Sequence, residues 1–148
     1  MERKLIIRNF GAIASADIAL KDFNIFIGEQ GAGKSTVAKL ITIFENSRDK
    51  VLKVDSDYLM TKFSEYNIIS YFNPDSYISY SSEQGDITYE DGSFNFTFSY
   101  HSTSHNLYIP AERFFISTFS RSIATLVLSK APIPVTLLEF CLLYTSPS

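Results

Sequence analysis

Gly28-Glu29-Gln30-Gly31-Ala32-Gly33-Lys34-Ser35 is a complete G-x-x-x-x-G-K-[ST] octet, and its flanks agree with it. An apolar run, Phe23-Asn24-Ile25-Phe26-Ile27, leads in, and it reads as a strand. A helical pattern leads out: Val37, Leu40, Ile41 and Phe44 recur at helical spacing from Lys34 to about Asn46, with Lys39, Thr42 and Glu45 between them. Strand, glycine loop and helix are the setting in which this octet cradles a phosphate. Glycines at 28, 31 and 33 free the backbone for turns that a Cβ obstructs. Several N–H groups can then face one anion, and the helix start adds its positive end. Glu29, Gln30 and Ala32 complete the cradle through their backbone. Lys34 is placed to reach the β- and γ-phosphates, Ser35 to ligate Mg²⁺, and Thr36 to touch the α-phosphate.

Outward from the octet, the chain organises into short elements. Lys4 to Phe10 reads as a strand, Phe10-Gly11-Ala12-Ile13 as a bend, and Ala16 to Leu20 as a second strand. Leu59, Met60 and Phe63 suggest a short helix, and Tyr77 to Tyr80 a strand. Ile87 to Tyr89 and Ser93 to Tyr100 flank Glu90-Asp91-Gly92, a hairpin signal. Phe94, Phe96 and Phe98 alternate with Asn95, Thr97 and Ser99, so one face is buried. That row reads as core packing rather than as a base-stacking surface. Asn106 to Ile109 reads as a strand, and a helix starts at Pro110 and stops at Pro132 and Pro134.

Composition bounds the function. The 148 residues are 45% hydrophobic and 20% charged, which supports one soluble domain with a real core. A net charge of -3 gives no support to a strongly basic nucleic-acid surface. No apolar run approaches the ~20 residues of a membrane span. No signal peptide is visible, and a single cysteine excludes an internal disulfide framework; the expected location is cytoplasmic. His101 and His105 follow a strand with no Cys or acidic partner nearby and read as loop rather than as a zinc pair. Glu112 and Arg113, at a strand-to-helix junction, are open between a ligand contact and a capping charge pair. Arg8 and Arg121 have no special context and read as solvated.

Residues 3 to 46 resemble the start of an ABC-type ATPase domain of the SMC and RecF kind. More closely, they resemble the bacterial AAA family ATPases grouped with the overcoming-lysogenization-defect (OLD) nucleases. The resemblance rests on Ile7-Arg8-Asn9-Phe10, on Ile25 to Thr36, on Tyr108-Ile109-Pro110-Ala111-Glu112-Arg113, and on Leu137 to Phe140. Gln30 stands where many relatives carry Asn. The resemblance implies an α/β P-loop NTPase fold: the N-terminal lobe of an ABC-type ATPase, with antiparallel strands before the loop and a β-rich insert after the first helix. It implies binding of ATP and Mg²⁺, with Lys34 catalytic, and hydrolysis across a homodimer of ATPase heads. It also implies a role in DNA repair or phage defence with a DNA, nuclease or toxin partner.

Three parts of the resembled enzyme are missing: an acidic strand end reading Asp-Glu, a Leu-Ser-Gly-Gly signature and a late histidine. Val51-Leu52-Lys53-Val54-Asp55 imitates the acidic strand, but Lys53 interrupts the apolar run and Ser56 stands where the glutamate belongs. Residues 141–148 match the translation of a sequencing-library adapter, so residues 1–140 are expected to be the truncated N-terminal part of the ATPase domain and 141–148 a non-native tail. The chain alone is then expected to bind nucleotide weakly without turning it over. Two alternatives stay open, a nucleotide-gated scaffold and a P-loop kinase. A GTPase lacks support, since no Asn-Lys-x-Asp base reader is present.

Overall fold

The computed structural model describes residues 3–47 and 55–98, all within the first of two units, Met1–Asn106. Five strands form one antiparallel sheet in the order β2-β1-β3-β4-β5. They are β1 (Arg3–Phe10), β2 (Ile13–Leu20), β3 (Tyr77–Ser82), β4 (Gly85–Glu90) and β5 (Ser93–Phe98). Helices α1 (Lys34–Ser47) and α2 (Ser56–Glu65) come between β2 and β3 in the chain. The fold is therefore α/β, and the β-rich insert continues the sheet begun by the N-terminal hairpin, because β3 pairs with β1 through Ile7 opposite Ile78.

Turn chemistry sets the registers. Phe10 faces Ile13 across a two-residue turn in which Gly11 takes φ +56. Glu90 faces Ser93 across Asp91 and Gly92, both at positive φ, the mirror-image turn that follows the right-handed twist of a hairpin. α2 begins at Asp55, whose carboxylate accepts from the Tyr58 amide at 2.9 Å. It ends with Asn67 at φ 56, the Ile68 amide bonding back to the Phe63 carbonyl and the Asn67 amide to that of Ser64.

One face of the sheet carries the core. Leu5, Ile7, Ile78, Tyr80, Ile87, Tyr89 and Phe94 are buried there. The Phe44 ring of α1 stacks on Tyr80 at 5.6 Å. Phe63 of α2 meets Phe10, Phe44, Phe72 and Phe94 at centroid distances of 5.9, 6.1, 4.9 and 5.7 Å. The alternating phenylalanines are thus core at Phe94, while Phe96 is half-buried.

The structure corrects two readings. Phe23 to Ile27 is not a strand: it runs irregularly, with Phe23 80%, Ile25 69% and Ile27 91% exposed. Side-chain pattern reports tolerance of a pleat, whereas a strand also needs a neighbour for its amides and carbonyls. The sheet supplies none to this segment among the described residues.

Not every polar residue of α1 faces water, since Thr42 and Glu45 are buried. Thr42 donates back to the Ala38 carbonyl at 2.9 Å, while Glu45 accepts from the Tyr80 hydroxyl and from Arg3 at 3.4 Å. A carboxylate can enter a helix–sheet interface when donors meet it there.

Arg8, finally, is paired. Its guanidinium lies 2.6 Å from Asp17, on the neighbouring strand diagonally across from it. This hydrogen bond, first among the causes, holds Asp17 below its ordinary value and raises Arg8. A lowered carboxylate contributes stability above its unfolded range and loses it as pH falls through the folded value, so the window lies on the acid side of ordinary carboxylates. In an NMR pH titration Asp17 is expected to protonate below the ordinary aspartate range, and to return toward that range in Arg8→Ala. Identical titration of Asp17 in both proteins would refute the pair.

Residues 99–148 and 48–54 fall outside the description. So do the strand at 106–109, the helix after Pro110, His101, His105, Glu112, Arg113 and Arg121.

Candidate functional site

Residues 28–36 bridge the exposed approach segment and α1. The octet turns twice through the left-handed region, at Gly31 (φ +82) and Gly33 (φ +88). At Gly33 any Cβ is doubly penalised: the conformation strains an L-residue, and the atom would lie 2.5 Å from Ile13 Cγ1. At Gly31 only the conformation matters, because nothing lies within 4 Å. Gly28 differs from the sequence expectation. It has no positive φ, and a Cβ there meets only ordinary contacts at 3.9 Å.

α1 begins at once after the second turn, with the Val37 amide bonding to the Gly33 carbonyl at 2.9 Å. The amides of Lys34, Ser35 and Thr36 are the first of the helix and have no acceptor within it. They carry the positive end of a 14-residue helix with no acidic side chain in its first turn to offset it. Lys34 folds back on the loop, its Nζ donating to the Gly28 carbonyl at 2.6 Å and to the Glu29 carbonyl. The ammonium therefore sits at the loop mouth, held by exposed carbonyls rather than by a carboxylate that would neutralise it. Ser35 is exposed, and Thr36 is buried. Glu29, Gln30 and Ala32 are exposed, with the Ala32 amide closing a turn onto the Glu29 carbonyl at 3.3 Å.

Beside the loop lies an open groove of about 440 Å³. It is lined by Ala12, Ala14 and Ala16 of the hairpin, by Ile25 and Ile27 of the approach segment, and by Gly33 and Lys34. Small side chains on the edge strand leave this space. The sequence reading missed the hairpin's part in the site, since Ala12 to Ala16 carries no chemical signal of its own.

Chemically, such an arrangement could receive an anion, because it brings together the start of a helix, one ammonium and one accessible hydroxyl. The donor set fits a polyphosphate chelated to a small divalent cation. Mg²⁺ takes one or two protein oxygens together with phosphate oxygens and water, and Ser35 can supply such an oxygen. Among the described residues no cluster of His, Cys, Asp or Glu could hold a metal by itself. Asp55, the end of the imitated acidic strand, is engaged as the cap of α2. No helix among the described residues is long and apolar enough to cross a membrane.

Neither the curated proteins nor the solved structures yield a match. A family model described as AAA ATPase domain matches residues 1–127. With most of its length matched, the chain belongs to the AAA ATPase domain family, whose general activity is ATP binding and hydrolysis.

Proposed function

We propose that residues 28–36 are the triphosphate site of an ATP–Mg²⁺-binding P-loop module. The supporting observation is the convergence of two left-handed glycines, the start of α1 and the Lys34 ammonium on one loop. In this reading the amides around Gly31 and Gly33 surround the β-phosphate, Lys34 neutralises the β- and γ-oxygens, and Ser35 holds Mg²⁺. Bound Mg²⁺ supplies charge neutralisation on the phosphate oxygens. Thr36 approaches the α-phosphate from the first turn of α1. Gln30 contributes its backbone, and its side chain is free to differ from relatives.

Residues 1–140 form the N-terminal part of the ATPase domain in this reading, and 141–148 are a foreign tail. The parent resembles the OLD-type group and works as a homodimer of heads in DNA repair or, by preference, in phage defence with a nuclease or toxin effector. Hydrolysis requires an acidic strand end and a signature segment that the chain does not spell out. The chain alone therefore binds nucleotide without turnover.

Titration calorimetry of the 148-residue protein is the test. Heat is expected with ATP plus Mg²⁺, and about tenfold weaker binding without the metal. Ser35→Ala is expected to bind ATP at that weaker level with or without Mg²⁺. No heat from adenine or guanine nucleotides with Mg²⁺ present would remove the reading. Steady phosphate release that disappears in a loop variant would overturn the absence of turnover.

A further inference from the structure

The contact between Gly33 and Ile13 points beyond the loop. Gly33 holds φ +88, and the space that a side chain would take is filled by the Ile13 side chain, whose Cγ1 and Cδ1 would stand 2.5 and 3.0 Å from an added Cβ. Ile13 is buried, and it is the first residue of β2, just past the β1–β2 turn. Its β-branch leaves few rotamers, so it presents a stiff surface to the loop.

The turn behind Ile13 is pinned from a second side. Ile13 faces Phe10, whose ring lies edge-on to Phe63, Tyr71 and Phe72. The Gly11 amide donates to the Tyr71 carbonyl at 3.1 Å. The Asn9 carbonyl accepts from Asn73 Nδ2 at 2.6 Å and from Ser76 Oγ at 2.5 Å, and Asn9 itself is held at φ 50. Residues 71–76 therefore fix the turn, the turn fixes Ile13, and Ile13 meets the last glycine before α1.

We propose that Ile13 is a positioning residue for the phosphate loop: anchored through the hairpin by residues 71–76, it sets the left-handed turn at Gly33 and with it the aim of the first amides of α1. Removing it opens space under Gly33, and the turn relaxes toward conformations whose amides diverge. A misplacement of about 1 Å can cost a site up to roughly 100-fold. The loss in affinity rests on the triphosphate reading above; the effect on loop geometry does not.

The experiment compares Ile13→Ala with Ile87→Ala, a truncation of a buried isoleucine on β4, away from the loop in the sheet. Calorimetry with ATP and Mg²⁺ is expected to show about tenfold weaker binding for Ile13→Ala. Ile87→Ala is expected to lower the melting temperature comparably while keeping affinity within about twofold. Gly33→Ala is expected to bind poorly, and adding Ile13→Ala to it to recover part of the loss, because the clash is gone and only the backbone strain stays. Should either alanine variant fail to fold, Ile13→Val and Ile87→Val give the same comparison with smaller steps.

Amide NMR gives a readout that needs no nucleotide. Ile13→Ala is expected to shift the Gly31 and Gly33 amide resonances and speed their exchange, and Ile87→Ala to leave both in place. Equal effects of the two truncations on affinity and on these amides would overturn the proposal, as would independent, multiplying effects of Ile13→Ala and Gly33→Ala. A wild-type protein that gives no heat would remove the triphosphate reading alone, and the amide spectra would then decide on Ile13.

Discussion

Lys34→Ala will weaken binding of ATP with Mg²⁺ by about 100-fold. Each charge-assisted contact to a phosphate oxygen is worth about 1.5–3 kcal/mol, and one to two such contacts sum to about 3 kcal/mol. That sum corresponds to roughly two decades in Kd. The free protein loses little, since Lys34 Nζ donates only to the exposed carbonyls of Gly28 and Glu29. Its stability is expected to stay within about 0.5 kcal/mol of the wild type. Lys34→Arg keeps the charge but replaces a compact ammonium with a planar fork that the loop does not match, so it recovers only part of the affinity. Calorimetry beside a thermal melt separates the two effects. Unaltered affinity in Lys34→Ala would mean that the ammonium does not face the ligand.

The largest effect on stability is expected at Phe63. Its ring is fully buried and touches rings from β1, α1, β5 and the segment before β3. Truncation to alanine leaves a cavity that four elements cannot close together, at a cost of about 3–5 kcal/mol. Against a total of about 5–15 kcal/mol, this consumes a large share of the fold's margin. The melting temperature is expected to fall by roughly 10–25 °C. Phe96→Ala, at a half-buried position next to Phe94, is expected to cost about 1 kcal/mol. Circular dichroism melts of both variants check the ranking, and an equal loss at the two positions would show that Phe63 is not the hub.

Elements whose signal is local were legible in the sequence. Asp91-Gly92 announced its hairpin through the backbone it needs, and the spacing of Val37, Leu40, Ile41 and Phe44 announced α1 to within a residue. The left-handed turns at Gly31 and Gly33 were legible because a glycine-rich octet is itself a statement about backbone freedom. What stayed hidden depends on partners distant in sequence. The burial of Glu45 was not legible because Tyr80 and Arg3, its donors, lie 35 and 42 positions away. Arg8 looked solvated because its neighbour is set by the register of β1 on β2. Ile13 read as the end of a bend, and only the folded chain makes it the first residue of β2 and brings it under Gly33. The run from Phe23 to Ile27 shows the same dependence in reverse, a pleat-tolerant pattern without a ladder to join.

That run carries a practical consequence. Three exposed oily side chains in five residues, on an open backbone, form an adhesive strip that any free sheet edge can zip onto. At high concentration, strips of this kind find one another before they find the right mate. Colloidal behaviour of the purified polypeptide will therefore be governed less by its net charge than by whether Phe23, Ile25 and Ile27 are shielded.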